Sequence, residues 1–340
     1  MKYHGYVSFQ DDDKISIFTS DPTTGQLDWQ EDVVVEGGPA PLAISPDKNF
    51  LYVGRRGRQE ISCYRIDPGS GGLSLLGTVP LQGEPVYLST DRTGKFVLSA
   101  YYYQSTAAVH AVGADGVPLF PPVEWRYTAG GAHAILTDRS NRFAFVPHIA
   151  NRGPNEIFQF RFDENSGRLT ANDPPRYSPQ EYLGPRALAF HPSLDVVYFS
   201  DEQGSSVSAY NLDPSAGTLS PFQTISTLPE GYSDPNTCSQ IQIAPSGKFL
   251  YAPNRGHHSV ASFSVDASGR LTATGRVATE PVPRVFSLDP GGGFLFVAGQ
   301  GSGRLASYQV DQDSGQLTPL ETYEGGNKPM WVLITKLSGH

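Results

Sequence analysis

DPTTGQL at 21–27, DPGSGGL at 67–73, DENSGRL at 163–169, DPSAGTL at 213–219, DASGRL at 266–271 and DQDSGQL at 311–317 are copies of one turn. In each, an aspartate opens the turn and a Gly-x-Leu closes it. A weaker seventh copy, ADGV at 114–117, falls midway in the one gap that is twice too long. The closing apolar residues then recur at roughly the 40 to 50 residues expected of one four-stranded propeller blade.

A second repeat runs in phase with the first. It places two apolar strands around a polar turn, as in PLAISPDKNFLYV from Pro41, PVYLSTDRTGKFVL from Pro85, HAILTDRSNRFAFV from His133 and PRALAFHPSLDVVYF from Pro185. SQIQIAPSGKFLYA from Ser239 and PRVFSLDPGGGFLFV from Pro283 continue it. A third strand alternates polar and apolar residues, as in ISCYRI at 61–66, and the Asp…Gly turn leads into a fourth. Four short strands joined by turn signals and repeated along the chain predict an all-β, seven-bladed β-propeller, one domain over residues 1–340. YVSF at 6–9 reads as a second strand and PMWVLI at 329–334 as a lone first strand. The ring is therefore expected to close by N- and C-terminal strands sharing one blade, which leaves no unpaired edge at the seam.

Composition narrows the partners. The net charge is −9 and basic residues are scattered, which argues against nucleic acid. No apolar run approaches the ~20 residues of a membrane span. MKYHG at 1–5 leads straight into a strand without the apolar core of a secretory signal, so a cytoplasmic location is expected. Cys63 and Cys238 lack CxxC spacing and read as reduced, buried thiols. Gly291-Gly292-Gly293 reads as a turn, not a nucleotide loop, and Asp11-Asp12-Asp13 as a solvated turn without EF-hand spacing. No cofactor or metal is required, and a monomer is expected because the ring buries its own edges.

Strand polarity selects one face. Antiparallel neighbours reverse direction, so the start of strand one and the turn between strands two and three share an end of each blade. The opposite turns keep bland SPDK, TDRTGK and APSGK patterns, whereas this end carries His133, Arg186 and Arg284 before strand one. Its turns carry Arg55-Arg56, residues 101–104, His148, Asp201-Glu202, Asn254-Arg255 and Gln300. Loops on a rigid scaffold are where binding groups are usually placed. His133 is matched in other blades by Pro41, Pro85 and Pro185, so its blade departs from its own repeat. His191, where other blades have Ser45, Ala244 or Asp289, lies at the opposite turn and reads as structural.

GAH at 131–133, GPR at 184–186 continuing to FHP at 190–192, DE at 201–202, NR at 254–255, AGQ at 298–300 and PMWV at 329–332 together resemble the seven-bladed propeller lactonases. That family includes the cycloisomerase-type 6-phosphogluconolactonases of bacteria and the fungal 3-carboxy-cis,cis-muconate lactonizing enzymes, and the resemblance is closer to the bacterial branch. It implies a catalytic set of His133, Arg186, Glu202 and Arg255. His148, Asn254, Arg284 and Gln300, on the same end of their blades, are expected as substrate contacts, His148 departing from the family pattern and tuning substrate choice.

Residue chemistry agrees with such a set. Opening a lactone needs a base for water and positive charge where the carbonyl oxygen becomes an oxyanion. His133 supplies the base. Arg186 and Arg255 each fork onto a phosphate, a carboxylate or the oxyanion, and Glu202 holds an arginine or the histidine in place. The implied partner is a small anionic lactone, 6-phosphoglucono-δ-lactone first and a carboxylated muconate second. A non-catalytic interaction platform is the reading of another class, and Trp29, Trp125 and Trp331 lack the WD context it favours.

Overall fold

The computed structural model describes residues 2–337. Among these, 28 strands form seven four-stranded sheets, each a meander of neighbours in chain order save the sheet in which the two ends of the chain meet. In that sheet β28 (Pro329–Thr335) pairs with β1 (Tyr3–Phe9), which pairs with β2 (Lys14–Ser20), followed by β3 (Leu27–Val34). The terminal strands thus share one blade, as the sequence predicts.

Burial follows the sequence pattern strand by strand. Second strands are near-continuous apolar runs and are buried on both faces: β9 (Phe96–Tyr101), β13 (Phe143–His148), β17 (Val196–Asp201), β21 (Phe249–Asn254) and β25 (Phe294–Gly299) have no exposed residue. Fourth strands such as β3 and β27 (Leu317–Glu324) are polar and mostly exposed.

The Asp…Gly turn fastens one blade to the next. Its aspartate caps the turn: Asp213 Oδ1 accepts from Ser215 N at 2.8 Å and Ala216 N at 3.0 Å, and its carbonyl accepts from Gly217 N at 2.8 Å. Its glycine sits at a φ between 69 and 82° in all six strong copies, a conformation that disfavours any Cβ. A Cβ at Gly167 would also lie 2.6 Å from the Phe96 ring of the preceding blade, and Gly25, Gly217 and Gly315 press equally closely on Phe294, Phe143 and Phe249. The weak seventh copy works the same way, with Gly116 against Phe50.

The repeat reads as one domain, and contacts cluster in two compact units. One comprises residues 2–34, 187–211 and 220–336; the other comprises 35–186 and 212–219 with Leu337. Each has its own core between sheets, such as Leu98, Ala107, Val146 and Phe160 in the second and Val7, Phe18, Phe296 and Val332 in the first.

The bland motifs take structural parts. His191 Nδ1 accepts from Ser193 N and Leu194 N at 3.1 and 2.9 Å, so Nε2 carries the proton and donates to Gly247 O at 3.1 Å. Asp12 accepts from Asn327 N at 2.7 Å and Asp11 pairs with Lys328 at 3.2 Å, so this acidic run pins the closing sheet instead of only meeting solvent. Gly292 turns at a φ of 71°. Cys63 and Cys238 are buried and unpaired by any disulfide. Among the described residues no helix is long and apolar enough to cross a membrane.

Candidate active site

One backbone hydrogen bond defines equivalent positions in different blades. The residue following strand two donates its N–H to a carbonyl just before strand one: Arg56 to Gly38, Ile149 to Gly131, Arg255 to Thr237, Gln300 to Val282 and Gln10 to Lys328, at 2.9 to 3.1 Å. Glu202 and Tyr102 follow Asp201 and Tyr101, the last residues of β17 and β9, and hold the same position.

A second set of equivalent positions lies at the start of strand one. Ala132 pairs with His148 as Pro85 pairs with Tyr101 and Pro283 with Gly299. His133 therefore aligns with Val86 and Arg284, and with Arg186, the second residue of β16 (Pro185–Phe190). The match of His133 to Pro41, Pro85 and Pro185 is corrected by this register, because His133 lies five residues before the equivalent turn residue Asp138, whereas Pro85 and Pro185 lie six before Asp91 and His191 and Pro41 four before Ser45. His133 does not replace a proline. It occupies the position that holds arginine in two other blades.

Two of the expected substrate contacts, His148 and Asn254, end their second strands and are fully buried. Successive side chains of a strand point to opposite faces, so the last residue of strand two and the residue after it cannot serve the same space. His148 Nε2 lies 2.9 Å from Thr128 Oγ1 and its ring packs on Phe158 at 4.5 Å. Burial pushes its imidazole down to about 4, a neutral packing residue at neutral pH. Asn254 is enclosed by Thr227, Asn236 and Ser259. Both side chains are engaged by protein partners.

Of the remaining residues, the structure brings Glu202 and Arg255 together. Arg255 Nη2 lies 3.1 Å from Glu202 Oε2, with both side chains about 15 % exposed, and also donates to Cys238 O at 3.0 Å. Cys238 N in turn donates to Glu202 O at 3.2 Å, so the two turns are also joined through the backbone. The pair is sheltered enough for charge to act at short range yet open to a ligand. Arg255 Nε has no hydrogen-bond partner among the described residues.

In the other compact unit, His133 is 8 % exposed, with its N–H on Pro147 O at 3.0 Å. The Tyr102 ring stands edge-on to its imidazole, centroids 5.8 Å apart. Arg186 is buried beside Tyr87, whose phenol burial pushes upward and the Arg186 charge pulls back. Arg284 is half-buried at the start of β24 (Pro283–Leu288), and Gln300 donates to Met330 Sδ at 3.6 Å.

Tyr102, within the 101–104 turn that the sequence places at this end, stands beside His133. Its signal is its position: it follows strand two of its blade as Glu202 and Arg255 follow theirs. No group of histidine, cysteine or carboxylate side chains among the described residues is arranged to hold a metal ion.

Residues 3–334 match the family model described as lactonase, 7-bladed beta-propeller, and the chain belongs to that family. It is 34% identical over 314 residues to the 6-phosphogluconolactonase of Pectobacterium carotovorum, covering 92% of this chain and 93% of that one. It is 33% identical over 335 residues to the 6-phosphogluconolactonase of an Enterobacter species, covering 98% and 99%. Among solved structures, the periplasmic gluconolactonase of Pseudomonas aeruginosa superposes with a TM-score of 0.90 at 26% identity, covering 99% of this chain and all of that one.

Proposed function

We propose that the protein hydrolyses 6-phosphoglucono-δ-lactone to 6-phosphogluconate, with His133, Arg186, Glu202 and Arg255 as the reacting set. His133 takes a proton from water as the water oxygen bonds to the lactone carbonyl carbon. The oxyanion that forms is stabilised by guanidinium N–H groups. The bond from that carbon to the ring oxygen then breaks, and His133 returns the proton to the departing oxygen. The product carboxylic acid ionises at neutral pH, so each turnover releases one proton to solvent.

The observation that carries this reading is the sheltered Glu202–Arg255 pair. Glu202 Oε2 meets Arg255 Nη2 at 3.1 Å and so orients the guanidinium. A planar guanidinium suits phosphate and oxyanion equally. His133, Arg186 and Arg284 share one repeat position, and Tyr102, Glu202, Arg255 and Gln300 the other, at the same end of their blades. Arg284 and Gln300 are the additional substrate contacts in this reading. The relatives named 6-phosphogluconolactonase support the phosphorylated substrate.

We place the reaction in the cytoplasm, since a phosphorylated lactone does not cross a membrane unaided, and carried out by a monomer. His133→Ala is the direct test. Turnover should fall with the melting temperature unchanged, and undiminished turnover would remove His133 from the mechanism.

A further inference from the structure

We propose that Asn236 is a positioning residue that holds both members of the Glu202–Arg255 pair, an inference that rests on the catalytic reading of Arg255. Asn236 lies in the connection between β19 (Leu219–Ser226) and Cys238, far in sequence from either partner. Its carboxamide is used to capacity. Oδ1 accepts from Gly256 N at 2.9 Å and His257 N at 3.0 Å, the two amides that follow Arg255. Nδ2 donates to Asn254 Oδ1 at 2.9 Å, on the residue that precedes Arg255. The adjoining Thr237 carbonyl accepts the N–H of Arg255 itself at 2.9 Å. The backbone is therefore gripped before, at and after Arg255.

The same side chain reaches the other turn. Asn236 Nδ2 donates to Ser205 Oγ at 3.0 Å, and Asn236 O accepts from the Ser205 hydroxyl at 3.3 Å. Ser205 ends the turn that begins with Glu202 and sits at a φ of 49°. One amide thus ties the turn that carries the carboxylate to the turn that carries the guanidinium. Asn254 completes the brace from behind, its Nδ2 donating to Thr227 O at 3.1 Å and Ser259 Oγ at 3.2 Å. This explains why a fully buried asparagine precedes the arginine: it is a strut for the turn. No other residue type offers two acceptor and two donor valences at this length.

Displacing a reacting group by about 1 Å can cost on the order of 100-fold in rate. Asn236→Ala is therefore expected to lower kcat/KM on 6-phosphoglucono-δ-lactone by about 10- to 100-fold, with faster hydrogen exchange at the Gly256 and His257 amides. A double-mutant cycle separates positioning from general destabilisation. In an Arg255→Lys background, Asn236→Ala should cost less than about twofold further, because the group it positions is already compromised. Equal losses in both backgrounds would overturn the proposal, as would wild-type kcat/KM in Asn236→Ala beside a crippled Arg255→Lys. Wild-type turnover in Arg255→Lys would instead overturn the role of Arg255 itself. If Asn236→Ala does not fold, the same cycle is run with Asn236→Asp, which keeps both acceptor contacts and removes the donors.

Discussion

His133 and His148 show how much one residue's surroundings decide. His133 precedes the strand Leu136–Thr137 and His148 ends β13 of the same sheet, and both are histidines on the end of the blade that the sequence singles out. His133 stands where other blades place Arg186 and Arg284, beside the Tyr102 ring. Replacing it with alanine should reduce kcat by about 100- to 10,000-fold, the range for a general acid–base group, and steady-state kinetics at saturating lactone would read it. His148 is buried and neutral, and its effect belongs to stability. Its imidazole titrates near 6.5 when unfolded and near 4 when folded, so the unfolded chain takes up a proton first as pH falls. The contribution is therefore intact above pH about 6.5 and lost progressively toward pH 4, a change of about 3 kcal/mol in all. Urea unfolding of His148→Gln across this window should be flatter than wild type by that amount. Parallel curves would show that His148 is not kept neutral by its burial.

At the scale of turns and strands, the Asp…Gly turn is the most demanding local feature. Gly217 holds a φ of 69° and its α-carbon faces the Phe143 ring, so Gly217→Ala should lose about 1–3 kcal/mol of stability in denaturant unfolding. A variant as stable as wild type would mean that the turn yields at no cost. The turn aspartates add a pH dependence of their own. The Ser215 hydroxyl, followed by the N–H groups of Ala216 and Ser215, holds the Asp213 carboxyl below its usual range. Its contribution is therefore present above the unfolded carboxylate pKa and is lost as acid brings the folded group through its own. These turns are legible from sequence because Asp, Gly and Leu act at fixed short offsets. The side-chain parity at the site is not. Register shifts at Pro39/Leu42, Pro85/Tyr87 and Pro283/Val285 add a residue where strand one begins, so facing cannot be counted through it. Asn236 is equally hidden, since its partners at 205, 254 and 256 are brought to it only by tertiary structure.

At the scale of the whole chain, the two ends meet in one sheet. β28 pairs with β1 from His4↔Thr335 to Phe9↔Pro329, and Asp12 and Asp11 hold Asn327 and Lys328 beside it. Removing residues 329–337 would leave the edge of β1 unpaired. The shortened protein should aggregate or lose its cooperative melt, as read by size-exclusion chromatography and calorimetry; a soluble product with an unchanged transition would show that closure is dispensable. The repeat, the shared terminal blade and the family are all readable from the residues, because each recurs or is anchored by a local motif. The substrate is a property of a few side chains and needs a direct assay. The decisive one is the rate of acid release from freshly made 6-phosphoglucono-δ-lactone by chelator-treated protein, corrected for spontaneous hydrolysis and run beside unphosphorylated glucono-δ-lactone. Fast turnover of the phosphorylated lactone, strongly preferred over its unphosphorylated counterpart and abolished in His133→Ala, is the expected result. A rate no greater than background on the phosphorylated lactone would contradict the proposed function.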